Sequence, residues 1–105
     1  MSVLLEFSMF PTDKGESISA HVARVLALID ESGIPYRLTP MGTIIETETL
    51  EQALSLLNQA YKQLESDCDR VYVSAKLDIR KGKDGRLAQK IESVEKRVGR
   101  KLKTS

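Results

Sequence analysis

The chain carries one cysteine and one histidine, so the side chains best suited to nucleophilic or metal chemistry are few. Cys68 lies in Ser66-Asp67-Cys68-Asp69, and flanking acids raise a thiol pKa rather than activate it. It reads as a small packed residue. His21 shares a helical stripe with Ile18 and Val25 and reads as a partly buried, hydrogen-bonded histidine rather than a catalyst. A single cysteine excludes an internal disulfide and a cysteine-rich zinc site. There is no Walker loop, GxGxxG or HExxH. What remains is a set of carboxylates and hydroxyls on strands, Glu46 and Asp78 foremost, and their use depends on the face they occupy.

The elements that position them follow from periodicity. Residues 3–10 alternate as a strand, with Val3, Leu5, Phe7 and Met9 on one side and Leu4, Glu6, Ser8 and Phe10 on the other. A helix is predicted from about Glu16 to Ser32, with Ile18, Val22, Val25, Leu26 and Ile29 as its stripe. Its N-cap is Ser17, or Asp13 paired with Glu16, and Gly33 with Pro35 ends it. Tyr36 to Met41 reads as an edge strand because Pro40 cannot serve a central ladder. Thr43 to Thr47 is the third strand. Thr49-x-x-Gln52 is a capping box opening a second helix, with Leu50, Ala53, Leu54, Leu57, Ala60, Tyr61 and Leu64 as its stripe. Arg70 to Arg80 is the fourth strand, with Val71, Val73, Ala75, Leu77 and Ile79 expected beneath the helices. A last helix covers about Arg86 to Val98, with Leu87, Ile91, Val94 and Val98 on one side and Gly99 at its end.

The order β-α-β-β-α-β plus a C-terminal helix is the ferredoxin-like α+β pattern, a single domain over residues 1–105. The expected sheet order is 4-1-3-2, with strands one and three central and parallel and the first two helices on one face. The other face is then open and mixes Leu4, Phe10, Ile44 and Tyr72 with Glu6, Ser8, Glu46, Ser74, Lys76, Asp78 and Arg80. Apolar surface of this extent predicts an interface or ligand groove, here association of two or more chains. Lys76 and Asp78 are expected to pair with Glu6 or Arg80 across strands. Because Ile45 points into the core, Glu46 points away from it. On a central strand under a second sheet its carboxylate needs Lys76, Arg37 or a ligand.

Net charge is +1, but residues 80–103 hold ten basic and three acidic side chains. No aromatic residue interleaves with these bases, and the third strand lacks stacking aromatics, which argues against nucleic-acid binding. No apolar run is long enough to span a membrane. The N-terminus lacks the basic region and long apolar core of a signal peptide, so a cytoplasmic location is expected.

Pro40-Met41-Gly42-Thr43-Ile44-Ile45-Glu46, Leu77-Asp78-Ile79-Arg80 and Lys90-Ile91-Glu92-Ser93-Val94, with Phe7-Ser8-Met9-Phe10-Pro11 and Ser17-Ile18-Ser19-Ala20-His21-Val22, resemble the small thiamine-binding protein family over nearly the whole chain. One departure is Thr47, where that family often has Gly. The resemblance implies a ferredoxin-like fold assembled as dimers of dimers, without a cofactor or metal. It implies binding of thiamine or its hydroxymethylpyrimidine part, not catalysis on it. Under it, Glu46 suits the 4-amino group or the thiazolium charge. Ser8 suits a ring nitrogen, Thr43 and Ser19 the pyrimidine edge, and Tyr72 or Phe10 a stacked ring. Asp78 is a secondary ligand candidate, and Arg80 an ion-pairing residue. The alternatives are a ferredoxin-like dimeric enzyme using the open-sheet cleft, with Asp78 and His21 as acid–base pair, and a ligand-free structural or regulatory subunit.

Overall fold

The computed structural model describes residues 1–15 and 18–104. Strand β1 (Ser2–Pro11) is followed by helix α1 (Ser19–Glu31), the hairpin β2 (Tyr36–Thr39) and β3 (Gly42–Thr47), helix α2 (Leu50–Glu65), strand β4 (Val71–Arg80) and helix α3 (Arg86–Val98). The sheet order is β2-β3-β1-β4, as the sequence predicts. The expected start of α1 at Glu16 and its expected N-caps, Ser17 or Asp13 paired with Glu16, involve Glu16 and Ser17, which lie outside the described residues. Asp13 makes a different contact, accepting from the Asp69 N–H at 2.8 Å.

Strands β1 and β3 are antiparallel, pairing Val3 with Thr47 through Phe7 with Thr43, which corrects the expectation of parallel central strands. The cause is the hairpin. The short Thr39–Gly42 turn reverses the chain between β2 and β3. The Thr39 hydroxyl stabilises that turn by accepting from the Met41 and Gly42 N–H groups and donating to the Gly42 carbonyl. Gly42 is required for close approach, since a Cβ there would lie 2.9 Å from the Phe7 carbonyl oxygen.

The core lies between the sheet centre and helices α1 and α2. Val3, Leu5, Phe7 and Met9 of β1 and Ile45 of β3 meet Val25 and Ile29 of α1 and Ala53, Leu56, Ala60 and Leu64 of α2. Fully burying one such side chain is worth about 1.5–3 kcal/mol, so this cluster dominates the stability of the domain. The Thr49 capping box forms as predicted, with Thr49 Oγ1 accepting from Gln52 N–H and Gln52 Oε1 from Thr49 N–H. The α2 stripe is rotated slightly from the expected one: Leu56 is buried, while Leu54 and Tyr61 are exposed.

Strand β4 departs most from expectation. Val73, Leu77 and Ile79 sit opposite Met9, Leu5 and Val3, so they share the core's face. They are nevertheless 41%, 43% and 47% exposed. The helices pack over β1 and β3, leaving the edge strand uncovered, which overturns the placement of these residues beneath the helices. The opposite face is also not wholly open. Helix α3 begins over its Ser2–Glu46–Asp78 end, and Gly99, at a φ of +85°, terminates that helix with its N–H on the Glu95 carbonyl. On α3 the predicted stripe is only partly covered, with Val94 and Val98 exposed.

Candidate functional site

Of the six residues singled out from sequence, five fall in or beside two neighbourhoods and Ser19 falls in neither. Glu46 and Asp78 lie opposite Leu4 on β3 and β4, at the end of the sheet where α3 starts. Strand alternation thus gives the Glu46 face correctly, but its partners come from within the chain. Glu46 Oε2 accepts from Ser2 Oγ at 2.5 Å and from the Arg86 N–H at 2.9 Å, and Oε1 accepts from the Leu87 N–H at 3.0 Å. A carboxylate at a helix start satisfies N–H groups that have no partner inside the helix and meets the positive end of its dipole. Burial alone would push the Glu46 carboxyl up. The Ser2 hydroxyl, the two N–H groups and the Arg86 charge outweigh that and hold it below the usual carboxylate range. Neither Lys76 nor Arg37 supplies these contacts: Lys76 pairs with Glu6 at 3.0 Å, as expected, and Arg37 donates to the Tyr36 carbonyl.

Arg86, which sequence reasoning missed, organises the same corner. Its side chain is 3% exposed and donates to Ser2 Oγ, the Ser2 carbonyl and the Asp78 carbonyl, while Nη1 lies 3.0 Å from Asp78 Oδ2. Lys90 adds a 2.9 Å contact to the same Asp78 oxygen. The hydrogen bond from Lys90, with those from Arg86, lowers the Asp78 carboxyl below its ordinary value despite partial desolvation. Asp78 therefore pairs with α3 rather than across the sheet with Glu6 or Arg80. Among the described residues Arg80 forms no ion pair; its cross-strand neighbour is Ser2. A signal was present in the sequence: an arginine at the first position of an amphipathic helix, after an alternating strand rich in partners.

The second neighbourhood is a hollow of 320 Å³ between α1, the end of β1 and the β2–β3 turn. Its walls include Ser8, Phe10, Ile18, Val22, Met41 and Thr43. The register explains why it exists. β1 pairs with β4 along its full length, but its pairing with β3 stops at Phe7–Thr43. From Ser8 onward, that side of β1 faces no strand, and the Leu38–Gly42 segment and the first turns of α1 enclose the gap. Thr43 is buried on the helix side of the sheet with Phe7, so it does not meet Glu46 as a close partner. It meets the Ser8 segment instead. Ser19 begins α1 next to Ile18 but is exposed and does not line the hollow. Tyr72 stands across from Phe10 with ring centroids 5.7 Å apart, which places an exposed aromatic beside the hollow's Phe10 wall. A second depression, on the sheet face away from α1 and α2 and sharing Ser8 and Met41 with the hollow, joins Glu6, Ser8, Met41, Ser74 and Lys76.

The thiamine-binding protein family matches residues 5–95. The chain belongs to that family. The match contains every buried core residue except Val3 and the whole wall of the hollow. A UPF0045 protein of Mycobacterium tuberculosis is 30% identical over 96 residues, covering 91% of this chain and 94% of that one. The UPF0045 protein YqgV of Bacillus subtilis is 34% identical over 87 residues, covering 78% and 83%. The crystal structure of the hypothetical protein MJ1052 from Methanocaldococcus jannaschii superposes with a TM-score of 0.79 at 29% identity, over 89% of this chain and 95% of that one. The ferredoxin-like arrangement is thus shared with that crystal structure. Among the described residues no helix is long and apolar enough to cross a membrane.

Proposed function

We propose that the chain is a cytoplasmic, non-enzymatic binding protein for thiamine or its hydroxymethylpyrimidine part, and that the pyrimidine enters the hollow between α1 and the end of β1. The observation that carries this reading is the early end of the β1–β3 ladder, which leaves a strand edge facing an apolar recess. An unpaired strand edge offers alternating N–H and C=O groups, the pattern an aminopyrimidine edge needs. A volume of 320 Å³ is at the small end of small-molecule sites and suits a ligand of one or two rings. Phe7, Val22 and Met9 give the ring an apolar bed, and Ser8 and Thr43, which line the same hollow, offer hydroxyls as polar contacts. The thiazolium would then lie toward Glu6 on the neighbouring depression, where its positive charge takes the place of the exposed Lys76 ammonium beside that carboxylate. Glu46 and Asp78 take a supporting role, because their oxygens already serve α3.

Assembly of identical chains belongs to the same proposal. Strand β4 is an uncovered edge of ten residues with Val73, Leu77 and Ile79 exposed on one side and Tyr72 on the other. Long apolar edges invite pairing with another strand, and a twofold dimer through β4 covers both chains' edges at once. Two such dimers give the tetramer.

Calorimetric titration of the full chain with thiamine, with hydroxymethylpyrimidine and with the thiazole alcohol tests the reading. Saturable binding of the first two and none of the third is the expected result. Binding of the thiazole alone would contradict the placement of the pyrimidine, and binding of none of them would contradict the function.

A further inference from the structure

We propose that His21, Asp67 and Cys68 form a binding site for a zinc-type divalent transition-metal ion, which fastens the start of α1 to the loop after α2. His21 is the third residue of α1, and Asp67 and Cys68 follow Ser66, the C-cap of α2. One ligand atom from each of the three lies within 4.8 Å of the others. Metal–ligand bonds of about 2.0–2.3 Å set tetrahedral ligands roughly 3–4 Å apart, so a small closing movement completes the arrangement.

The state of each side chain favours a metal over an ordinary packing role. Among the described residues the His21 Nδ1 is buried without a hydrogen-bond partner. Its Nε2 is 3.8 Å from Asp67 Oδ2, beyond hydrogen-bond range. With one ring nitrogen partnerless and the other facing Asp67 Oδ2 beyond hydrogen-bond range, the imidazole is available as a ligand within reach of the carboxylate and the thiol. Cys68 Sγ is buried and 3.8 Å from Asp67 Oδ1. The Asp67 carboxylate is itself held by Arg24, with Nη2–Oδ1 at 2.7 Å and Nη1–Oδ2 at 3.0 Å. Outer partners of this type orient a ligating carboxylate, which keeps further lone pairs for an ion.

Thiolate, imidazole and carboxylate together select zinc or cobalt over magnesium or calcium, which prefer oxygen alone. On binding, the Cys68 S–H bond breaks, its proton passes to solvent, and the sulfur electron pair forms the bond to the metal. The half-exposed Asp67 side leaves room for a water as fourth ligand.

Cobalt(II) is the probe, added to the metal-free full chain while the visible and near-ultraviolet spectrum is recorded. Each chain has one cysteine and one histidine, so a thiolate-to-cobalt charge-transfer band can come only from Cys68. The proposal predicts that band together with tetrahedral cobalt bands, saturating at one ion per chain and displaced by zinc. The His21→Gln and Cys68→Ser variants, checked for folding by circular dichroism, should bind at least about tenfold more weakly. If Cys68→Ser fails to fold, His21→Gln decides. No charge-transfer band, one ion shared by two chains, or an unchanged affinity in His21→Gln would overturn it.

Discussion

Glu46 Oε1 in β3 accepts the Leu87 N–H of α3 at 3.0 Å, joining residues 41 apart in sequence. This contact, with the Arg86 N–H on the second oxygen, fixes where α3 starts on the sheet. Replacing Glu46 by Gln keeps one acceptor and removes the charge. Hydrogen bonds to charged groups contribute about 1.5–3 kcal/mol, so urea denaturation should show a loss of about that size, with reduced helicity. An unchanged midpoint would contradict the docking role.

The same carboxylate gives a pH dependence of definite sign. Its pKa is lower folded than unfolded, so its contribution to stability is complete above the ordinary carboxylate value and is lost as pH falls through the depressed folded value. Stability measured from neutral pH into that acid range should fall less steeply in Glu46→Gln than in the parent. Parallel curves would show that Glu46 is not the group responsible.

Arg86 should be less replaceable than an arginine at a helix start usually is, because it is buried. Its guanidinium reaches Ser2 Oγ, two carbonyls and Asp78 in one fork. Arg86→Lys supplies a single ammonium and cannot span them. A loss of about 2–3 kcal/mol is expected for both Arg86→Lys and Arg86→Met. Rescue by lysine in thermal denaturation would contradict the fork's importance.

The β4 edge yields a different outcome from a buried strand. Leu77→Asp should leave the protomer folded, since no helix covers that position, and should abolish assembly. Light scattering of the variant at micromolar concentration should return the 11.7 kDa mass of one chain. An assembly of unchanged size would place the interface elsewhere.

Alternation and caps were readable from sequence because they are local. The Thr49 box, the α3 bounds and the odd residues of β1 all follow from neighbours within a few positions. The strand order follows from motif order, but the direction of β3 is set by the hairpin between residues 39 and 42, which turns it antiparallel to β1. Exposure of Val73, Leu77 and Ile79 was not legible, because alternation assigns a face and not what covers it. For Glu46, the sequence showed a carboxylate needing donors, but the donors are backbone N–H groups of a helix some forty residues later. The hollow was equally hidden, since it arises where one ladder ends before another.

A polar-to-apolar change at Thr43 separates the hollow from the α3 corner. Thr43→Val preserves shape and removes one hydroxyl, worth about 0.5–1.5 kcal/mol in a neutral hydrogen bond. Thiamine affinity should fall by about two- to tenfold, with denaturation little altered. No change in affinity would remove Thr43 from the site.

The central claim is the location of the pyrimidine, and amide chemical shifts followed by NMR during titration with hydroxymethylpyrimidine test it most directly. The account predicts saturable shifts concentrated in residues 7–10, 18–26 and 38–43. Shifts centred instead on Glu46, Asp78 and Leu87, or none at saturating ligand, would contradict it.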